Sequence, residues 1–288
     1  MKQFFLTLLF LLTLFSSNAQ EKRALLIGIG DYPTECGWNK IHGQNDVTII
    51  RNTLLIQGFS THNIHTLIDS EATYDNILKE MQSLLEFAKK DDIIYIQFSG
   101  HGQRITDIDG DETDRLDEAW VPYDAHKIYC KGIYEGEKHI TDDYLNAYLT
   151  KLRLKVGNTG KIIVIADACH SGSGSRGMKQ SDEVYKRGSN DTFVIPQSTA
   201  NIVRKEEPVD WLFVAACKSY QTNYEYKDDH GNYYGSLSYS ISKSENQLAE
   251  VKYETAIAVW AQTMREITIY PQDLDNEGRP SKKNNSLF

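Results

Sequence analysis

Residues 161–177 read KIIVIADACHSGSGSRG. The run IIVI is the pattern of a strand buried on both faces, as in a parallel sheet. It stops at Asp167, Ala168, Cys169 and His170 and gives way at once to Ser and Gly. In open α/β sheets ligands bind outside the carboxyl ends of the strands. A core strand that ends in a carboxylate, a thiol and an imidazole therefore sets reactive groups where such a sheet does its chemistry.

Working outward, four more segments read as strands: RALLIGIG at 23–30, NIHTLID at 63–69, DIIYIQFSG at 92–100 and DWLFVAAC at 210–217. Helical spacing fills residues 45–57, 73–89, 141–152 and 253–267. In the second of these, Tyr74, Ile77, Leu78, Met81, Leu84, Leu85 and Ala88 form one apolar stripe that faces a sheet. Thr141 is placed as an N-cap, with Asp142 and Asp143 in the first turn behind it. The alternation predicts an α/β fold: a mainly parallel central sheet flanked by helices on both faces.

The strand YIQFSGHG delivers His101 to its own carboxyl end. If it neighbours the strand before Cys169, thiol and imidazole meet at one sheet edge. A thiolate attacks a carbonyl, and an imidazole in reach protonates the leaving amine, so the pair suits acyl transfer. Either residue alone reads more simply, Cys169 as a small buried hydrophobe and His101 as a surface or turn residue. Small neighbours on both sides favour the reactive reading, because they let a substrate backbone approach closely. His170 is a rival base, but adjacent residues on extended chain point to opposite sides.

Composition narrows the setting. Residues 1–19 hold one early Lys, an apolar core and a Ser17-x-Ala19 ending, the form of a cleaved signal peptide. The alternative is a buried N-terminal helix. The apolar stretch is shorter than the ~20 residues a bilayer span needs, and export to the periplasm or medium is expected. Removing Lys2 from 31 basic residues leaves 30 against 40 acidic ones, a net charge of −10. That balance disfavours a nucleic-acid partner. Four dispersed cysteines make neither a disulfide scaffold nor a zinc pattern; a Cys36–Cys130 bridge stays open. Residues 171–208 are polar, a mobile or processing loop by length and composition. The remaining chain, 20–288, is expected to be one domain.

FSGHGQR, DEAWVPYDA, ITDDYL and IVIADACHSGSG, in that order, resemble the metacaspase branch of the caspase-like clan. RALLIGIGDYP with NDV, VAACKSYQTNYEY and GSLSYSIS resemble its remaining core segments. The resemblance implies a caspase-like fold and a cysteine endopeptidase. It makes His101 the general acid/base, Cys169 the nucleophile, and the N–H groups of Gly102 and Cys169 an oxyanion hole. It also implies cutting after Arg or Lys, with Asp46, Ser99 and Asp167 in the first specificity pocket. Buried carboxylates there would hold a guanidinium by charge-assisted hydrogen bonds. The plain alternatives are a helix cap for Asp46 and a strand-end acceptor for Asp167.

Calcium activation is a further implication, with Asp117, Asp142 and Asp143 as carboxylates. The fourth family position falls near Arg176, a departure from the pattern. DIDGDETDRLDE at 107–118 has acids at EF-hand spacing but its Gly at the wrong place, and reads as a solvated loop. The expected partners are protein or peptide substrates bearing Arg or Lys, with the chain acting as a monomer. Arg176, Lys179, Lys186, Arg187, Arg204 and Lys205 offer exposed self-cutting sites in the long loop. The competing reading is a caspase-fold regulatory protein whose Cys and His do no chemistry.

Overall fold

A computed structural model describes residues 20–110, 112, 114–169, 184–189, 191–196, 210–244, 246, 248, 251–268, 270, 272–277 and 286–288. The centre is a six-stranded sheet. Its strands are β1 (Lys22–Gly28), β2 (Ile64–Ile68), β3 (Ile93–Ser99), β7 (Lys161–Asp167), β8 (Leu212–Ala215) and β11 (Asp275–Glu277). They run in the order β11-β8-β7-β3-β1-β2, with only β11 antiparallel to its neighbour. Against β4 (Gly102–Thr106), β5 (Leu116–Trp120) pairs on one side and β6 (Ile140–Thr141) follows, a small antiparallel sheet. β9 (Glu225–Lys227) and β10 (Tyr233–Gly235) form a separate hairpin.

Period-two alternation divides the strands between two cores. Leu25, Ile27, Ile94, Ile96, Ile162 and Val164 face α2 (Tyr74–Phe87) and α3 (Asp142–Val156). Ala24, Leu26, Ile93, Tyr95, Ile163 and Ile165 face α1 (Gly43–Ile56), α4 (Ser236–Lys243) and α5 (Tyr253–Ile267). The expected stripe on α2 lies against the first core, with Ile77 and Met81 fully buried. Thr141 caps α3, its hydroxyl accepting from the Tyr144 N–H.

Register fixes the functional edge. Ser99 of β3 pairs with Gly28 of β1 on one side and with Asp167 of β7 on the other. His101 and Cys169 each follow a paired residue by two positions, so the topology carries both to the same end of the sheet. Gly43, opening α1, sits so close that a Cβ there would collide with the Ser99 carbonyl. A bare backbone at 43 is what lets α1 start against the strand ends.

Two expectations need correction. The described parts of the long loop are not uniformly exposed. Phe193 is buried and runs beside β4, its N–H donating to the Arg104 carbonyl and its own carbonyl accepting from Thr106. Arg187 has no solvent exposure. Apolar Phe193 and the ion pairs of Arg187 hold these pieces down, where composition alone suggested an open tether. Arg176, Lys179, Arg204, Lys205, His170 and residues 1–19, read above as a signal peptide, lie outside the described residues. The four cysteines, all among the described residues, form no disulfide; Cys36 is buried and Cys130 exposed. Among the described residues no helix is long and apolar enough to cross a membrane.

Candidate active site

His101 leaves β3 and is buried beneath Trp38 and Tyr32, its ring stacked on Trp38 at 4.8 Å between centroids. The Tyr32 hydroxyl accepts from the His101 N–H at 3.0 Å. Its Nε2 lies 2.8 Å from the carbonyl oxygen of Asn39, a group that can only accept. Nε2 therefore carries the proton, and Nδ1 is left as the lone-pair nitrogen. That Nδ1 is buried and, among the described residues, has no hydrogen-bond partner. Burial pulls the imidazole down to about 4, against the opposing pull of the Asn39 bond, so the ring is neutral at pH 7.

Cys169 is buried just past β7, its Sγ–H donating to the Gln221 carbonyl at 2.8 Å. Cys217 approaches the same carbonyl at 3.6 Å. Hydrogen bonding to Cys169 and then burial push the Cys217 thiol up, well above its usual range.

Between these residues runs a piece of the chain's own loop. The Cys169 N–H donates to the Arg187 carbonyl at 2.7 Å, and the Arg187 N–H donates to the Asn223 carbonyl at 3.0 Å. Two residues earlier the Tyr185 carbonyl accepts from Glu225 at 3.1 Å, and Lys186 bridges Tyr224 in antiparallel fashion. Residues 185–187 thus add a short strand beside residues 223–225, the way a bound peptide extends a sheet edge. Gly188 follows alongside Gly102. A Cβ at 188 would lie 2.9 Å from the Cβ of Cys169, so the Arg187–Gly188 bond presses on the thiol-bearing residue.

The Arg187 side chain fills a closed acidic chamber. Its Nη1 donates to Asp46 at 2.5 Å and to the Asp167 carbonyl at 3.2 Å, with the Asp167 carboxylate 3.4 Å away. Its Nε donates to Glu225 at 3.1 Å. All four side chains are fully buried. Asp46 comes from the first turn of α1 and also accepts from the Gly235 N–H. Asp167 accepts from Asn223 Nδ2 and from the Ser238 N–H. The Ser238 hydroxyl stands between the two acids, 3.0 Å from Asp46 and 2.7 Å from Asp167. Burial drives the Asp46 carboxyl up to about 6 even with Arg187 drawing it down. For Glu225 burial raises, but Arg187 and His42 prevail and hold it below the ordinary range.

Asp46 and Asp167 therefore face a guanidinium, that of the chain's own Arg187. Ser99 does not: its hydroxyl accepts from Gln97 and lies 3.5 Å from Ser238, behind the acids. Glu225 and the Asn39 carbonyl escaped the sequence reading. The only trace of Glu225 was an acid inside an aromatic run, NYEY; a backbone carbonyl leaves no trace in composition.

The three acids proposed for calcium lie apart from this chamber. Burial, then Asp117, Asp143 and Glu118, push the Asp142 carboxyl up to about 8. Carboxylates have the hard oxygens calcium takes. Yet among the described residues no three His, Cys, Asp or Glu side chains converge as a metal site. The stretch read as a solvated loop is solvated only in part: residues 116–118 belong to β5 with Asp117 buried, and Asp107, also buried, accepts from the Gly110 and Glu112 N–H groups.

The family profile described as metacaspase, peptidase C14 domain matches residues 22–175. The chain belongs to the metacaspase family. Metacaspase-1 of Eremothecium gossypii is 27% identical over 287 residues, covering 83% of this chain and 60% of that protein. Metacaspase-1 of Plasmodium falciparum is 35% identical over 172 residues, 56% of this chain and 25% of that protein. The chain thus spans less than two thirds of either metacaspase. Caspase-1 of Spodoptera frugiperda superposes with a TM-score of 0.56 at 12% identity, covering 90% of this chain and 86% of that one. A Geobacter sulfurreducens protein reaches 0.62 at 20% identity, with 93% and 97% covered. These structures share the caspase-like fold with this metacaspase.

Proposed function

We propose that the chain is a cysteine endopeptidase that cuts after Arg or Lys, with Cys169 as nucleophile and His101 as general acid/base. We propose further that it cuts itself between Arg187 and Gly188. One observation supports both parts: Arg187 has its carbonyl on the Cys169 N–H and its guanidinium among Asp46, Asp167 and Glu225. A peptide bound for cleavage takes that posture.

In the reaction, His101 Nδ1 accepts the Cys169 proton as Sγ attacks the carbonyl carbon. The oxyanion forms on the oxygen already bonded to the Cys169 N–H, with Gly102 alongside. The Asn39 carbonyl holds Nε2–H, so the protonated ring stays aimed. Nδ1–H then protonates the leaving nitrogen, that of Gly188 in the self-cut. Water, deprotonated by the same Nδ1, hydrolyses the thioester and restores the thiol. Asp46, Ser99 and Asp167 are proposed as the substrate pocket, Ser99 acting through Ser238.

Calcium stimulation is implied by resemblance through Asp117, Asp142 and Asp143. Since those acids do not converge, no step of the reaction is assigned to the ion. Export after removal of residues 1–19 belongs to the same proposal, tested by the N-terminus of the mature protein.

The deciding experiment compares wild type with Cys169→Ala on fluorogenic peptides ending in Arg, Lys or Asp. Wild type should release fluorophore from Arg and Lys peptides and spare Asp, and the variant should release none. Turnover by Cys169→Ala, or preference for Asp, would overturn the reading. A folded regulatory protein without chemistry would leave all peptides intact.

A further inference from the structure

Resting on that reading, we infer that the site selects a second side chain, an aromatic ring two residues before the Arg at the cut. The rings of His42 and Tyr233 stack at 4.8 Å, 18° from parallel, and make a shelf. Tyr185 packs across both in T-shaped contacts, at 4.5 Å and 89° to His42 and 4.8 Å and 72° to Tyr233. Edge-on contact brings the positive rim of one ring to the negative face of another, so an aromatic gains here what an aliphatic side chain does not.

The shelf is built by elements outside the loop. His42 precedes α1, and its Nδ1 and backbone N–H both reach the Glu225 carboxylate at 2.7 Å. Tyr233 opens β10, and its carbonyl accepts from Asn45 at 2.9 Å. Glu225 also pairs with Arg187, so one carboxylate joins the ring shelf to the guanidinium chamber. Main-chain pairing sets the spacing, since Tyr185 and Arg187 bond to Glu225 and Asn223 on the neighbouring segment. A substrate laid down in the same register offers its side chains to the same two places. The recognised class is a peptide of the form aromatic-x-Arg, cut after Arg.

The test uses the full chain and two fluorogenic peptides, Tyr-Lys-Arg and Ala-Lys-Arg, each cut after Arg. The Tyr peptide should have a kcat/KM about tenfold higher, the scale of two favourable ring contacts. Tyr233→Ala should bring the ratio close to one, and Tyr233→Phe should retain it. Because both peptides are read on one preparation, the ratio is independent of how much of a variant folds. Equal cutting of both by wild type, with Arg still required, overturns the shelf and leaves the Arg-specific reading standing. No cutting of either overturns that reading and this inference with it.

Discussion

Asp46 Oδ2 and Arg187 Nη1 meet at 2.5 Å with neither side chain reaching solvent. A guanidinium so placed neutralises part of a chamber that otherwise holds three buried carboxylates, those of Asp46, Asp167 and Glu225. Removing one partner of a buried ion pair typically costs ~3–5 kcal/mol, since the other is left uncompensated.

In a Cys169→Ala background, which keeps the chain uncut, Arg187→Ala should therefore lower Tm. The loss has a pH sign. Without the guanidinium, the Asp46 carboxyl rises further above about 6. The folded state then holds a proton that the unfolded chain releases near 4, so stability falls as pH rises from there. The drop in Tm should be larger at pH 8 than at pH 5. An equal drop at both, or none, would show that the chamber does not depend on Arg187.

Gly188 touches Cys169, and a Cβ there has no room. Gly188→Val should slow appearance of a new N-terminus at residue 188 at least tenfold, read by mass spectrometry over time. The same terminus appearing at the wild-type rate would mean that the bond beside Cys169 is not the one cut.

How much of this the sequence disclosed follows from the kind of signal each part leaves. Three of the five main strands are nearly continuous apolar runs, and periodicity finds such runs directly. α5 was read to the residue, because Ala256, Trp260 and Met264 repeat on one face. The short strands β9 and β10 were illegible for the opposite reason. Glu225–Lys227 and Tyr233–Gly235 have three residues each, too few for a pattern. Cys169 and His101 stood out by chemistry at strand ends. Arg187 was read only as one exposed cutting site among several, because nothing local distinguishes a buried arginine from a surface one. Its burial is decided by α1, β7 and β9, far apart in the chain.

His101 makes a second prediction about charge. Its ring is held down to about 4 chiefly by burial. In Cys169→Ala, histidine NMR should show a neutral Nε2–H tautomer through pH 5. In Cys169→Ala/Arg187→Ala, which frees residues 185–188 from the chamber, water should reach Nδ1 and the pKa should climb toward ~6.5. An unchanged value would mean that Trp38 and Tyr32, rather than the bound loop, keep the ring dry.

Asp142 supplies a test away from the active site. Burial, with Asp117, Asp143 and Glu118 nearby, raises its carboxyl to about 8. Between its ordinary value near 4 and that raised value, the folded state keeps a proton the unfolded chain has lost. Stability from this group is therefore present at low pH and lost as pH climbs through about 8. Asparagine imitates the protonated form, so Asp142→Asn should match wild type near pH 4 and exceed it in Tm by several degrees at pH 9. Parallel melting curves across that range would refute the shift. Millimolar calcium at pH 8 should leave both transitions in place, since the acids do not converge on one point. A rise confined to wild type would mean instead that Asp117, Asp142 and Asp143 close around the ion and that the cation takes over the role of the proton.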